Sequence, residues 1–259
     1  PAGEGWSSDP FRATVADGML TGRGANDMKS AIAAYVAALS RIGETAGTLS
    51  LLITGDEEGY ATYGTPRIID WLNERSIRPD MILIGEPTSV ERLGDTVKIG
   101  RRGSLTGRIV VEGKQGHVAY PQLADNPVHF ALQPLQALCS ELWDEGNDAF
   151  PPTSFQISNI HAGTGTDNVI PGTLDVTFNF RFSTASTAAS LRARVEAILR
   201  HHTSKFSVEW NLSGEPFLTG QGRLIDVAVE AIREVNGVES ETSTSGGTSD
   251  GRFIAPTGA

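Results

Sequence analysis

Acidic residues follow three apolar segments in the first part of this sequence. Asp27 ends the segment "GRGAND", Glu57 and Glu58 lie in "GDEEG", and Glu86 lies in "IGEP". Each follows the C-terminal end of a predicted strand, and open α/β sheets bind ligands at that edge. Adjacent carboxylates repel one another and are costly to bury unless a cation is bound. The pattern predicts a metal site, because carboxylate oxygens are ligands for Mg²⁺, Mn²⁺ and Zn²⁺.

A simpler interpretation exists for each of these carboxylates taken singly. Asp27 directly precedes the helical pattern "MKSAIAAYV" and could be a helix N-cap. Glu58 precedes Gly59 and could lie in a solvated turn. Acidic residues at three strand ends together favour the shared metal site.

The elements that would hold these residues are predicted from apolar spacing. Strand and helix signals alternate over the first hundred residues, and the continuous apolar strands indicate a covered, largely parallel sheet. After Gly103 the order of signals becomes β-α-β-β-α-β, the split ferredoxin-like unit, which ends near Pro216. The sequence therefore predicts an α/β catalytic domain at 1–102 and 217–259, with a second domain inserted at 103–216.

Composition excludes several classes of protein. The 259 residues carry a net charge of −10, which argues against a nucleic-acid partner. The single cysteine excludes an internal disulfide and a cysteine zinc cluster, and the helical pattern around Cys139 predicts a buried thiol. Apolar stretches are too short to cross a bilayer and no export signal begins the chain, so we expect a cytoplasmic protein without a membrane partner.

Five motifs in order carry a family resemblance: "GRGANDMKS", "TGDEEG", "GEPT", "GHVAYP" and "GGTSDGRF". Together they resemble the dinuclear zinc deacylase and aminopeptidase family, and the likeness runs through nearly the whole chain. "RRGSLTG", "GTGTDNVIPG" and "FNFRFS" strengthen it. The resemblance implies a zinc-aminopeptidase-like catalytic domain, here incomplete, with an inserted α+β ferredoxin-like lid that forms a homodimer.

The resemblance also implies roles for the acidic residues. Asp27 would bridge two zinc ions, Glu58 would bind one of them, and Glu86 would bind the other. Glu57 would be the general base. Cobalt could replace one zinc ion, and each ion would need a histidine as well.

Further residues match positions that contact the substrate in the family. His117, in "GHVAYP", would reach the reacting carbonyl from the partner subunit, although an isolated loop histidine is more often a surface residue. The substrate carboxylates would be held by a larger set, in which Tyr120 is a weaker candidate, as is Lys98 in addition to it: Arg102, Ser104, Tyr120, Asn168, Arg181, Gly247 and Thr248. Arg181 lies in an alternating strand, where the simpler interpretation is an ion pair with a neighbouring acid.

The implied activity is zinc-dependent hydrolysis of a small-molecule N-succinyl amino acid. It would release succinate from N-succinyl-LL-2,6-diaminopimelate, a step of diaminopimelate and lysine biosynthesis. Two alternatives stay open. One is a related N-acyl amino acid deacylase, such as an acetylornithine deacetylase, or a dipeptidase; the other is a catalytically inactive binding or dimerisation module.

The two histidine ligands of the family are expected outside this chain. Relatives carry His-x-Asp before the segment equivalent to "PAGEGW" and another histidine after the segment equivalent to "GGTSDGRF". We therefore expect an internal fragment that, by itself, binds zinc poorly and does not turn over substrate.

Overall fold

The computed structural model describes residues 3–59, 61–247 and 249–258. The chain forms two compact units. The first unit comprises residues 1–97 and 222–241 with residue 259, and the second unit comprises residues 98–221 and 242–258.

Twelve strands and six α-helices are formed by the described residues. In chain order they are β1 (Thr14–Ala16), β2 (Met19–Thr21), α1 (Ser30–Leu39), α2 (Thr65–Glu74), β3 (Thr96–Lys98), β4 (Gly100–Arg101), β5 (Gly103–Glu112), β6 (Gly116–His117), α3 (Pro127–Ser140), β7 (Ser154–Ala162), β8 (Val169–Ile170), β9 (Thr173–Phe182), α4 (Ala188–His202), β10 (Phe206–Gly214), β11 (Phe217–Leu218), α5 (Arg223–Asn236), β12 (Glu241–Ser243) and α6 (Gly251–Ile254). Short π- or 3₁₀-helical turns occur at Ala25–Lys29, Pro121–Leu123 and Ala255–Thr257.

A four-stranded antiparallel sheet forms the centre of the second unit. Its strand order is β10-β5-β9-β7, and α3 and α4 lie between its strands in the chain. This is the β-α-β-β-α-β ferredoxin-like arrangement that the sequence predicts. Paired strands in the remaining sheets are β1–β2, β11–β4, β12–β3 and β6–β8.

The core of the second unit follows from the two-residue period of β9. Alternate residues of this strand are buried, among them Phe178, Phe180 and Phe182, and they pack with apolar residues of α3 and α4. Gly107 on β5 is required by this packing, because a Cβ there would lie 2.1 Å from Cζ of Phe178. The aromatic ring therefore occupies the space that a side chain on β5 would fill.

Asp144 joins two loops at one end of this core, the α3–β7 loop in which it lies and the β9–α4 loop. Its Oδ1 accepts the backbone N–H groups of Gly146 (2.9 Å) and Thr153 (2.8 Å), and its Oδ2 accepts the hydroxyl groups of Thr153 and Ser186. Burial by itself would raise the pKa of Asp144, but the hydrogen bonds from Ser186 and Thr153 lower it below its ordinary value. The carboxylate therefore stays ionised and holds the loops together.

The predicted parallel sheet of the first unit is wrong for the described residues. The apolar segments around Ile53 and Leu83 belong to no strand there, and these side chains are 61% and 58% exposed. A strand exists only where a neighbour completes its hydrogen bonds, and neither segment pairs with another in the described part of the chain. In the same unit, a side chain fastens α5 to the loop before β3, since Asn236 Nδ2 donates a hydrogen bond to Leu93 O (3.1 Å).

Cys139 is exposed on α3, so the predicted burial of its thiol is wrong. The buried face of this helix passes through Ala131, Pro134 and Leu138, and the next position turns outward.

None of the helices formed by the described residues has the length and hydropathy needed to span a bilayer.

The tail 242–258 clusters with the second unit rather than with the segments that precede it. The reason is local hydrogen bonding, since Ile99 N–H donates to Ser243 O (3.1 Å) and Arg101 Nη1 donates to Gly247 O (2.8 Å). The division into a catalytic domain at 1–102 and 217–259 and an inserted domain at 103–216 stays a prediction.

Candidate active site

Asp27 lies inside the π-helical turn that precedes α1. The backbone N–H of Lys29 donates to Gly24 O (2.8 Å) and closes the turn, while Asp27 itself has non-helical dihedral angles, φ −119° and ψ 98°. The Asp27–Met28 peptide bond is cis. The N-cap of α1 is Lys29. Asp27 is therefore exposed at a turn and is not the cap of the helix that follows.

The turn that carries Asp27 contacts the segment that carries Glu86. A Cβ at Gly85 would lie 2.8 Å from Cβ of Ala31 and 3.1 Å from Cε of Met28, so only glycine allows this close approach. Met28 and Gly85 are the chain neighbours of the two acidic residues. Packing therefore brings two of the three predicted metal-binding segments together.

The loop after Glu86 is closed by a single carboxylate. Asp95 accepts the backbone N–H groups of Val90 (2.9 Å), Glu91 (2.8 Å) and Arg92 (2.8 Å). These bonds, with that from Arg92 the strongest, hold the pKa of Asp95 well below its usual range. The loop that leaves Glu86 is thus held by an ionised side chain.

The carboxylates Asp27, Glu58 and Glu86 fit the oxygen part of a metal site. In the described residues, no three His, Cys, Asp or Glu side chains meet in a geometry that could hold a metal ion. All five histidines of the sequence lie at positions 117–202, in the second unit. The first unit therefore offers carboxylate oxygens but no imidazole, which zinc commonly uses as a ligand. The roles of these residues, and of the half-buried Glu57, stay predictions.

A cationic cluster forms where the tail meets β3 and β4. Lys98 Nζ donates to the hydroxyl groups of Ser243 (3.1 Å) and Ser245 (2.9 Å), and Arg101 binds Gly247 O. Burial lowers the pKa of Lys98, and the positive charge of Arg101 lowers it further. The site thus combines cationic side chains with a glycine of the tail. Thr248, the next predicted substrate contact, lies outside the described residues.

Arg102 and Arg181, two further predicted residues, form a second cationic pair. Burial lowers the pKa of Arg102, as does the positive charge of Arg181. The Nε of Arg102 is buried and has no hydrogen-bond partner among the described residues. Ser104 pairs across the sheet with Arg181, and its Oγ accepts Nδ2 of Asn179 (3.2 Å). Guanidinium and hydroxyl groups are donors that suit carboxylates, and the substrate-binding role of Arg102, Arg181 and Ser104 stays a prediction.

His117, Tyr120 and Asn168 form a second group in this unit. Val118 N–H donates to Asn168 O (3.0 Å), and the rings of His117 and Tyr120 are 5.9 Å apart between centroids. Nδ1 of His117 accepts the backbone N–H of Ala119 (3.1 Å). In the neutral imidazole the proton then lies on Nε2, which is left as a hydrogen-bond donor.

Comparison with known sequences identifies the family. The sequence model of peptidase family M20/M25/M40 matches residues 1–258. The chain belongs to this family. The chain is therefore classed as a metallohydrolase. The family resemblance inferred from the five motifs is confirmed.

The curated relatives in the M20/M25/M40 family are desuccinylases. The chain is 58% identical over 260 residues to succinyl-diaminopimelate desuccinylase of Thioalkalivibrio sulfidiphilus, covering 99% of this chain and 69% of that protein. It is also 58% identical over 258 residues to the enzyme of the same name from Alkalilimnicola ehrlichii, covering 98% of this chain and 69% of that protein. The resemblance to desuccinylases within the family is therefore confirmed.

Solved structures of M20/M25/M40-like enzymes share the fold. A tripeptidase from Staphylococcus aureus aligns with a TM-score of 0.71 and 18% identity over 95% of this chain and 65% of its own. Human carnosine dipeptidase 1 aligns with a TM-score of 0.63 and 18% identity over 96% of this chain and 67% of its own. These likenesses support the predicted zinc-aminopeptidase-like α/β class with its inserted ferredoxin-like unit.

Sequence reasoning missed two residues that shape these sites. Arg101 is buried and binds the tail, and the doubled arginine in "GRRGS" is the only sequence signal for it. Asp56 begins the acidic run "DEE" and was given no role of its own. Arg101 binds a backbone carbonyl 146 residues away and Asp56 accepts a backbone N–H seven residues away, and neither partner is evident from the sequence.

Proposed function

We propose that the protein containing this chain hydrolyses the amide bond of N-succinyl-LL-2,6-diaminopimelate and releases succinate, in diaminopimelate and lysine biosynthesis. The observation that carries this proposal is the 58% identity to curated desuccinylases over 99% of the chain. The carboxylate-binding geometry around Arg102 and Arg181 supports it, since the substrate is a poly-carboxylate.

The acidic residues of the first unit are proposed to hold two zinc ions, with cobalt able to replace one. Asp27 would be a ligand shared by both ions, Glu58 would hold one ion and Glu86 would hold the other, together with histidine ligands. Bound zinc supplies a Lewis acid that polarises the amide carbonyl and acidifies a bound water. The contact between Met28 and Gly85 supports the pairing of the Asp27 and Glu86 turns.

The remaining chemistry belongs to side chains of the chain itself. Glu57 accepts a proton from the attacking water and returns it to the leaving amine nitrogen. Nε2–H of His117 donates a hydrogen bond to the oxygen on which negative charge develops. Ala119 N–H supports this role, because it holds the imidazole in the tautomer that has a donor at Nε2.

Substrate binding is proposed to use the cationic cluster and the loop residues near it. Arg102, Arg181 and Ser104 hold substrate carboxylates, and Lys98, Tyr120, Asn168, Gly247 and Thr248 complete the pocket. We further propose a cytoplasmic homodimer built through the ferredoxin-like unit, in which His117 serves the catalytic centre of the partner subunit.

The test of the function is a comparison of acyl groups by the complete protein. We expect hydrolysis of N-succinyl-LL-2,6-diaminopimelate, at least a hundredfold lower kcat/KM for N-acetylornithine and for dipeptides, and loss of turnover with a chelator that zinc restores. Faster turnover of the acetyl substrate would support the related deacylase instead. Zinc-independent binding without turnover would support the inactive module.

Arg102→Ala in the complete protein is expected to raise KM for the succinyl substrate about 10–100-fold, because it removes charge-assisted hydrogen bonds worth ~1.5–3 kcal/mol. Initial rates over a range of substrate concentrations measure this. The matched control is Arg108→Ala, on β5, whose guanidinium forms ion pairs with Asp175 and Glu209 and should leave KM within about twofold. An unchanged KM in Arg102→Ala would contradict the assignment.

A further inference from the structure

Asp56 is the first of three consecutive carboxylates, and the proposed chemistry uses only Glu57 and Glu58. A third negative charge beside a general base and a metal ligand adds electrostatic repulsion, so its presence calls for a structural explanation. Its contacts in the first unit provide that explanation.

The carboxylate of Asp56 closes the loop in which the other two carboxylates lie. Its Oδ2 accepts the backbone N–H of Tyr63 (3.3 Å), seven residues further along the chain. The loop from 56 to 63 is thereby tied at both ends by one side chain. This is the arrangement by which aspartate commonly stabilises a turn, extended here across a longer loop.

The second oxygen of Asp56 lies over the backbone of Gly59. A Cβ at Gly59 would be only 2.5 Å from Oδ1 of Asp56, so the carboxylate occupies the space of a side chain. The backbone of Gly59 is outside the left-handed region, so alanine is compatible with its dihedral angles. A side chain at position 59 would therefore have to displace the carboxylate of Asp56.

Asp56 also lies close to Gly64, the residue that precedes α2. A Cβ at Gly64 would lie 3.6 Å from Cβ of Asp56 and 3.6 Å from Cβ of Thr54, and both Gly64 and Thr65 are buried. The loop is thus held against the first turn of a ten-residue helix. Asp56 therefore lies between the acidic segment and the N-terminus of α2.

We propose that Asp56 is a positioning residue, which holds the loop of Glu57 and Glu58 in the geometry needed for metal binding and proton transfer. This inference rests on the roles proposed above for those two glutamates. Asp56 holds the loop by accepting a hydrogen bond from Tyr63 N–H. The absence of a side chain at Gly59 leaves room for the carboxylate of Asp56. Residues that orient metal ligands in this way typically contribute 10–100-fold to affinity.

The experiment measures zinc affinity of the complete protein by competition with a chromophoric chelator, together with KM and kcat. Asp56→Ala is expected to weaken zinc binding and to lower kcat by about 10–100-fold each, with KM changed less than threefold. Asp56→Asn keeps an oxygen acceptor for Tyr63 N–H and is expected to stay within about fivefold of the unsubstituted protein. Asp70→Ala, which removes an exposed aspartate of α2, is the matched control and should leave both quantities unchanged.

Gly59→Ala provides an independent variant. The added Cβ displaces Oδ1 of Asp56, so its effect is expected to match that of Asp56→Ala, and the double variant is expected to be no worse than either single one. Additive losses would overturn the proposal, as would unchanged zinc affinity in Asp56→Ala or an Asp56→Asn variant as impaired as Asp56→Ala.

Peptide-resolved hydrogen exchange of residues 56–64 separates this inference from the proposed function. Faster exchange in Asp56→Ala than in the unsubstituted protein is expected, because the loop loses its closing bond. If the unsubstituted protein neither binds zinc nor turns over, the proposed function fails whatever the exchange shows. If the unsubstituted protein binds zinc and turns over substrate, but exchange in Asp56→Ala is the same as in the unsubstituted protein, only the positioning role of Asp56 is contradicted.

Discussion

Replacing Glu57 by glutamine in the complete protein is expected to lower kcat for the succinyl substrate about 10²–10⁴-fold while zinc content stays unchanged. The amide has nearly the shape of the carboxylate but cannot accept the proton of the attacking water. Because the metal ligands in the proposal are other residues, the variant should still bind zinc. Steady-state kinetics and metal analysis of the same preparation measure both quantities.

Two further variants make the interpretation specific. Glu58→Ala removes a proposed zinc ligand and is expected to lose zinc together with turnover. Glu44→Gln changes an exposed glutamate of the same unit and should have no effect. Turnover within tenfold of normal in Glu57→Gln would remove this residue as the general base.

Phe178→Ala is expected to cost the second unit about 3–5 kcal/mol of unfolding free energy, the usual range for truncating a buried aromatic ring. The ring is fully buried, with centroids 4.9 Å from Phe155 and 5.5 Å from Trp210, and it covers Gly107. Its loss leaves a cavity in the middle of the sheet. Chemical denaturation followed by tryptophan fluorescence measures the change, because Trp143 and Trp210 both pack in this core, and Trp6 and Trp71 of the first unit add a separate signal.

The control for this variant is Leu132→Ala, at a position on α3 that is 60% exposed. It should change the unfolding free energy by no more than about 0.5 kcal/mol. A cost below about 1 kcal/mol for Phe178→Ala would show that the core collapses around the missing ring and that its aromatic packing is not essential.

The ferredoxin-like unit was predictable because its elements are defined by short-range patterns. β9 alternates apolar and polar residues, and α4 has a four-residue apolar spacing that passes through Leu191, Val195 and Leu199. Each pattern also identifies the face that must be buried. The strand order β10-β5-β9-β7 then follows from the few ways in which this chain order can cover one sheet.

The first unit shows where such patterns fail. The apolar run ending at Ile53 and the run containing Leu83 have strand composition, yet neither forms a strand in the described residues. Composition expresses a preference for a pleated, half-buried surface, whereas a strand also needs hydrogen-bonded neighbours. Those neighbours are a property of the assembled sheet and not of the run itself.

By itself, the sequence determined the family, the ferredoxin-like order of elements and the identity of the candidate carboxylates, histidine and arginines. Only the tertiary structure decided that the tail lies along Lys98 and Arg101, that Nδ1 of His117 accepts a backbone N–H, and that Asp56 closes the loop of Glu57 and Glu58. The physical reason is that residue type and local spacing limit what a side chain can do, whereas a hydrogen bond also needs a partner within about 3.5 Å, which folding alone brings there.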